Sequence, residues 1–74
     1  MNHGDLAMVR QSLIEELQAI SAYQERIEAA ADEDLKRLLA HNRDEEKEHA
    51  AMLVEYLRRQ DPTQDRMFRE HDQP

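Results

Sequence analysis

The sequence predicts an all-α chain: an antiparallel two-helix hairpin, followed by a short third helix, that completes a four-helix bundle only when two copies pair. Three observations predict it. The 74 residues include one glycine, Gly4, and two prolines, Pro62 and Pro74, so nothing between Asp5 and Asp61 breaks a helix by composition. Alanine, leucine, glutamate, glutamine, lysine and arginine dominate that stretch, and all favour helix. Apolar residues recur along it at alternating steps of three and four, the period of a helix seam.

Helix one is expected over residues 5–30, with the seam Leu6, Val9, Leu13, Glu16, Ile20, Tyr23, Ile27 and Ala30. The break falls in "AAADED", where Asp32 suits an N-cap and Glu33 and Asp34 suit a first helical turn. Helix two then covers residues 33–59. Its preferred seam is Leu35, Leu39, Asn42, Glu46, His49, Leu53 and Tyr56. A rival seam through Leu38, Asn42, Glu45, His49 and Met52 exchanges Glu45 for Glu46 but breaks the register of the outer leucines. A short link between long helices makes them antiparallel neighbours. Asp61 and Pro62 fit the cap and first position of a third helix over 62–71, whose apolar residues are Met67 and Phe68. The same segment also reads as a frayed tail. Residues 1–74 thus form one half-bundle domain, too small to build a sizeable core alone.

Composition narrows the chemistry. With no cysteine, disulfides and thiolate metal sites are excluded, and a bound metal would need carboxylate and imidazole, a donor set suited to iron, manganese or zinc. Seventeen acidic against ten basic residues give a net charge of −7, which disfavours nucleic acid and anionic membrane surfaces and favours cations. Plain solubility accounts for that charge equally well. No apolar run approaches the roughly 20 residues of a membrane span. The opening "MNHGDLAMVR" lacks the apolar stretch of a secretory signal, so the expected location is the cytoplasm.

The informative feature is a charged seam. Glu16 interrupts the apolar stripe of helix one, and Asn42, Glu46 and His49 interrupt that of helix two. Carboxylates on a packed seam lose hydration at high cost unless something neutralises them. A polar layer that fixes helix register would explain Asn42, but two glutamates and a histidine are a heavy charge for that role. A metal explains all three. Glu46 and His49 form Glu-x-x-His, whose members stand about 60° apart around the helix and ~4.5 Å along it, so both reach one ion. Di-iron carboxylate bundles combine a glutamate from each of two helices with a Glu-x-x-His from each of the other two. One chain supplies half of that set. A twofold dimer supplies all of it, with four carboxylates formally balancing two Fe²⁺.

The block "AHNRDEEKEHAAM", with "EEL" and "AY" in helix one, resembles the encapsulated ferritins over residues 15–59. The resemblance implies a ferritin-like four-helix bundle formed on dimerisation and further assembly into a ring, typically a decamer. It implies a ferroxidase centre at the subunit interface, with two iron ions per dimer held by Glu16, Glu46 and His49 of both chains and Tyr23 beside it. Fe²⁺ would be oxidised there by dioxygen, and the iron stored or detoxified inside an encapsulin shell. A peripheral metal-uptake site in the family uses two glutamates; Glu15 matches one, and Gln18 stands at the other. Ala22 replaces a bulky aromatic. Relatives continue into a Gly/Ser-rich tail with a targeting peptide, whereas "EHDQP" closes this sequence. Truncation, fusion to the shell protein and shell-free function each fit that difference.

Each residue also has a plainer reading: Glu16 as surface, His49 as a hydrogen-bonded seam histidine, Tyr23 as seam filler. Glu15, Glu45 and Glu48 read as a solvated face partnered by Arg43 and Lys47. His41 and Asn42 suit packing, and His3 and His71 lie near the ends. Two further functions fit the same residues: a non-enzymatic helical assembly module with a polar register layer, and a rubrerythrin-like di-metal peroxide scavenger.

Overall fold

A computed structural model describes residues 3–72. Three helices follow one another: α1 (His3–Ala29), α2 (Glu33–Gln60) and α3 (Pro62–His71), with no strand among the described residues. α1 and α2 form the hairpin. Asp32 caps α2, its carboxylate accepting from the Leu35 amide at 2.9 Å. α1 begins at His3 rather than Asp5, and α2 runs one residue past Arg59.

A single residue separates α2 from α3. The Asp61 amide donates to the Leu57 carbonyl at 2.8 Å, closing α2, while its carboxylate accepts from the Gln64 amide at 3.1 Å, opening α3. Pro62, with no amide proton, occupies the first turn where none is needed. Arg10 of α1 reaches the same carboxylate at 3.5 Å. α3 is tied to α2 by Arg58, whose Nε donates to Asp65 at 2.8 Å and whose guanidinium lies 5.1 Å from the Phe68 ring centroid. The Asp65 hydrogen bond raises the Arg58 pKa further above its already high ordinary value. α3 is therefore a docked helix and not a frayed tail.

The hairpin is one layer thick. Its extents are 46 × 33 × 14 Å, the smallest little more than one helix diameter. The radius of gyration is 15.4 Å, against roughly 11 Å for a compact chain of this length. Only Leu6 and Leu57 are buried among the described residues, both where the hairpin's open end meets the α2–α3 joint. Two packed helices without a second layer cannot surround their own side chains. The rest of the α1 seam, from Val9 to Ala30, is half-buried. Leu35, expected on the α2 seam, is instead 43% exposed; it stands in the first turn of α2, beside the end of α1 at Ala29.

Candidate metal centre

The charged positions of the two seams meet at mid-hairpin. Glu16 projects from α1, and Glu46 and His49 from adjacent turns of α2. One donor atom from each lies within 4.8 Å of the others. His49 Nδ1 stands 3.5 Å from Glu16 Oε2 and 3.4 Å from Glu46 Oε2, longer than ordinary N–H···O bonds. Both glutamate side chains are largely enclosed, 24% and 22% exposed, whereas the His49 side chain is 49% exposed. The cluster therefore opens to one side, past the imidazole.

Glu16 Oε2 is fully buried and has no hydrogen-bond partner. A carboxylate oxygen left without a donor is costly, and its neighbours are a second carboxylate and one imidazole. No lysine or arginine enters the group. Two carboxylates and one imidazole around a shared point match the donor set of a divalent transition metal, so the residues present fit a metal. A protonated His49 would pair with both carboxylates, but a single imidazolium balances only one of their two charges.

The choice between Glu46 and Glu45 is resolved by packing. Glu46 faces α1, while Glu45 is exposed and pairs with His41 Nε2 at 3.0 Å. Asn42 is half-buried one turn before Glu46. Arg43, expected to partner the acidic face, instead donates to Asp44 at 3.1 Å and across the hairpin to Gln24 at 2.9 Å. Glu15 is exposed and accepts from Gln11 at 3.1 Å, apart from the cluster. Tyr23 lies two turns beyond Glu16, about 10 Å along α1. Its ring carries the Arg26 guanidinium 5.4 Å from the centroid. Neither Glu15 nor Tyr23 joins the three donors within this chain.

One signal legible in the sequence has a different meaning in the structure. Leu38, Glu45, His49 and Met52 form a stripe at helical spacing, and Leu38 and Met52 read as a widening of the seam. In the structure Leu38 is 57% and Met52 62% exposed. The stripe is a second face of α2, turned away from α1, and His49 sits on its edge. The two rival seams are both real, one internal and one open.

Comparison with known proteins agrees with this architecture. The EncFtn-like family model matches residues 1–72. The chain is 58% identical over 50 residues to the encapsulated ferritin-like protein of Rhodospirillum rubrum, covering 68% of this chain and 36% of that protein. It is 46% identical over 65 residues to a ferritin-like protein of Thermotoga maritima, covering 88% and 57%. It is 45% identical over 56 residues to the encapsulin nanocompartment cargo protein EncC of Myxococcus xanthus, covering 76% and 43%. The chain thus spans between about a third and just over half of these curated relatives. The crystal structure of protein ne0167 from Nitrosomonas europaea superposes with a TM-score of 0.87 at 47% identity, covering 95% of this chain and 79% of that one. The charged seam, the hairpin that carries it and the match along nearly the whole sequence converge: the chain belongs to the EncFtn-like family.

Proposed function

We propose that this chain is half of a ferroxidase, completed by a second copy of itself, that oxidises Fe²⁺ with dioxygen. The observation that carries the reading is the meeting of Glu16, Glu46 and His49 around a buried, partnerless carboxylate oxygen. Three donors from one chain leave a metal under-coordinated, and the open side of the cluster lies on the face of α2 that exposes Met52 next to His49 and Leu38 about 16 Å away. Pairing two copies there brings six donors together, four carboxylates and two imidazoles, with charge to balance two Fe²⁺. It also covers apolar surface that one layer of helices leaves in water.

In this assembly Glu16, Glu46 and His49 of both copies would hold the two iron ions. Glu16 and Glu46 supply the negative charge that favours the oxidised product over Fe²⁺. The reaction takes one electron from each of two Fe²⁺, and with two protons converts dioxygen to hydrogen peroxide. Tyr23 is a candidate hydrogen-bond donor to the site from the second copy's side, and Glu15 a candidate for drawing cations to its mouth. One relative is named an encapsulin nanocompartment cargo protein and another an encapsulated ferritin-like protein, which supports as the proposed setting the interior of a cytoplasmic encapsulin shell, with the dimers arranged in a larger ring.

Native mass spectrometry of the metal-free protein, before and after anaerobic Fe²⁺ addition, tests this directly. The expected result is dimers or multiples of dimers carrying two irons per dimer, followed by rapid oxidation in air that Glu46→Ala and His49→Ala each abolish. Unchanged assembly with no retained iron, or wild-type oxidation rates in both variants, overturns the assignment.

A further inference from the structure

We propose that the side of the hairpin facing away from the open cluster is a second twofold contact, through which metal-holding pairs join one another by reciprocal Lys47–Glu25 ion pairs. The inference rests on the paired reading above and names the surface by which pairs meet. Lys47 stands two residues before His49, about 160° from it around α2, so the two look to opposite sides of a layer 14 Å thick. A second copy seated against His49 therefore leaves the Lys47 side uncovered.

That side carries two adjoining grooves. One runs between the helices, from Ser21 and Glu25 on α1 to Arg43 and Lys47 on α2. The other follows α1 through Ile14, Leu17, Ser21 and Glu25. Ile14 and Leu17 are 48% and 52% exposed, so the patch pairs apolar surface with charge.

The charges are not matched within one chain. Arg43 is held by Asp44 and Gln24. Among the described residues, Lys47 is the only lysine or arginine that touches neither a carboxylate nor an aromatic ring, and Glu25 in the same groove has no hydrogen bond or ion pair. The Arg43–Gln24 and His49–Glu16 contacts set the level of α2 against α1. By them Lys47 stands opposite residues 18–20, about 9 Å along the hairpin from Glu25. A twofold axis at Ala22, midway between, exchanges the two levels and sets Lys47 of each copy against Glu25 of the other. Ser21 and Ala22, the small side chains at the crossing, let the α1 helices approach, with Ile14 and Leu17 covered on either side. The contact is small and depends on charge, so it holds between pairs, each of which offers two such faces, and not between single hairpins.

The test loads the full chain with Fe²⁺ anaerobically and reads its assembly by sedimentation and native mass spectrometry. Wild type should form multiples of the pair. Lys47→Glu and Glu25→Lys each set like charges across the contact, and each should stop at the pair, with the dissociation constant between pairs raised at least about tenfold. Both should keep wild-type helicity and two irons per pair, since neither residue is among the metal donors. An equimolar mixture of the two loaded variants is the deciding measurement. One variant brings two acidic residues to the contact and the other two basic ones, so the mixture should recover the larger assembly with both variants in it. An ion pair made inside one chain would be lost in both variants and not restored by mixing. Wild type that stays at the pair, either variant alone forming larger assemblies, or a mixture that stays at the pair refutes the inference while leaving the ferroxidase reading intact. Wild type that forms no metal-loaded pair overturns both.

Discussion

Replacing Glu16 with glutamine removes one charge and almost no volume, and the structure predicts opposite effects with and without metal. The donor atoms of Glu16 and Glu46 lie within 4.8 Å of each other. Two unit charges at that distance repel by about 3 kcal/mol at an effective dielectric of ~20, and by about 0.9 kcal/mol in water. Because the two side chains are 24% and 22% exposed, the first figure is discounted for solvent screening, leaving about 1–2 kcal/mol. For a domain of this size, 1 kcal/mol shifts the melting temperature by roughly 4–8 °C. Metal-free Glu16→Gln should therefore melt about 5–10 °C above the parent protein. The gain is read at pH ~8, above the range in which imidazoles ordinarily carry charge and would offset the repulsion.

With metal the sign reverses. A ligand present at a hundred times its dissociation constant stabilises the native state by about 2.7 kcal/mol. Glu16→Gln loses one of the two carboxylates that each chain contributes, so most of that gain should vanish. The assay is thermal unfolding at one fixed protein concentration, with and without anaerobic Fe²⁺. A surface glutamate or a register residue would change neither quantity in this paired way. A variant that melts lower than the parent without metal, or that keeps the full Fe²⁺ shift, refutes the reasoning.

Further substitutions test the frame around the site. Asp61→Ala removes the cap of α3 and the Arg10 contact, and should cost about 1 kcal/mol; amide hydrogen exchange across α3 is then expected to quicken about fivefold, and unchanged protection would show that the Arg58 joint alone holds the helix. Leu38→Asp changes a side chain that is 57% exposed, so helicity by circular dichroism should stay the same while sedimentation shows the pair lost. A variant that still pairs places the interface elsewhere. Leu6→Ala empties the most buried position, 1% exposed, and should destabilise by about 2–5 kcal/mol in urea titration; an effect below 1 kcal/mol would mean that the open end of the hairpin contributes little.

The helices, their punctuation and their inward faces were legible in the chain alone. Asp32 and Asp61 act through bonds to residues three or four positions away, and Pro62 through its missing amide proton at a helix start, all of which sequence spacing specifies directly. The stripe from Leu6 to Ala30 needed only the helical period, and the intrusion of Glu16, Glu46 and His49 into it already pointed to a metal. Other features depended on how the two helices sit against each other. A glutamate at 45 and one at 46 differ by 100° of helix rotation, and either suits a seam until the rotation of α2 against α1 selects Glu46. The pairings Arg43–Gln24 and Arg58–Asp65 join residues whose partners no local rule supplies. The partnerless oxygen of Glu16 is a property of the packed hairpin, because only packing removes water from it. Nor does hydrophobic patterning reveal that a stripe is left uncovered: Leu38 and Met52 have the spacing of core residues, and only the single-layered tertiary structure shows that the described residues place nothing against them.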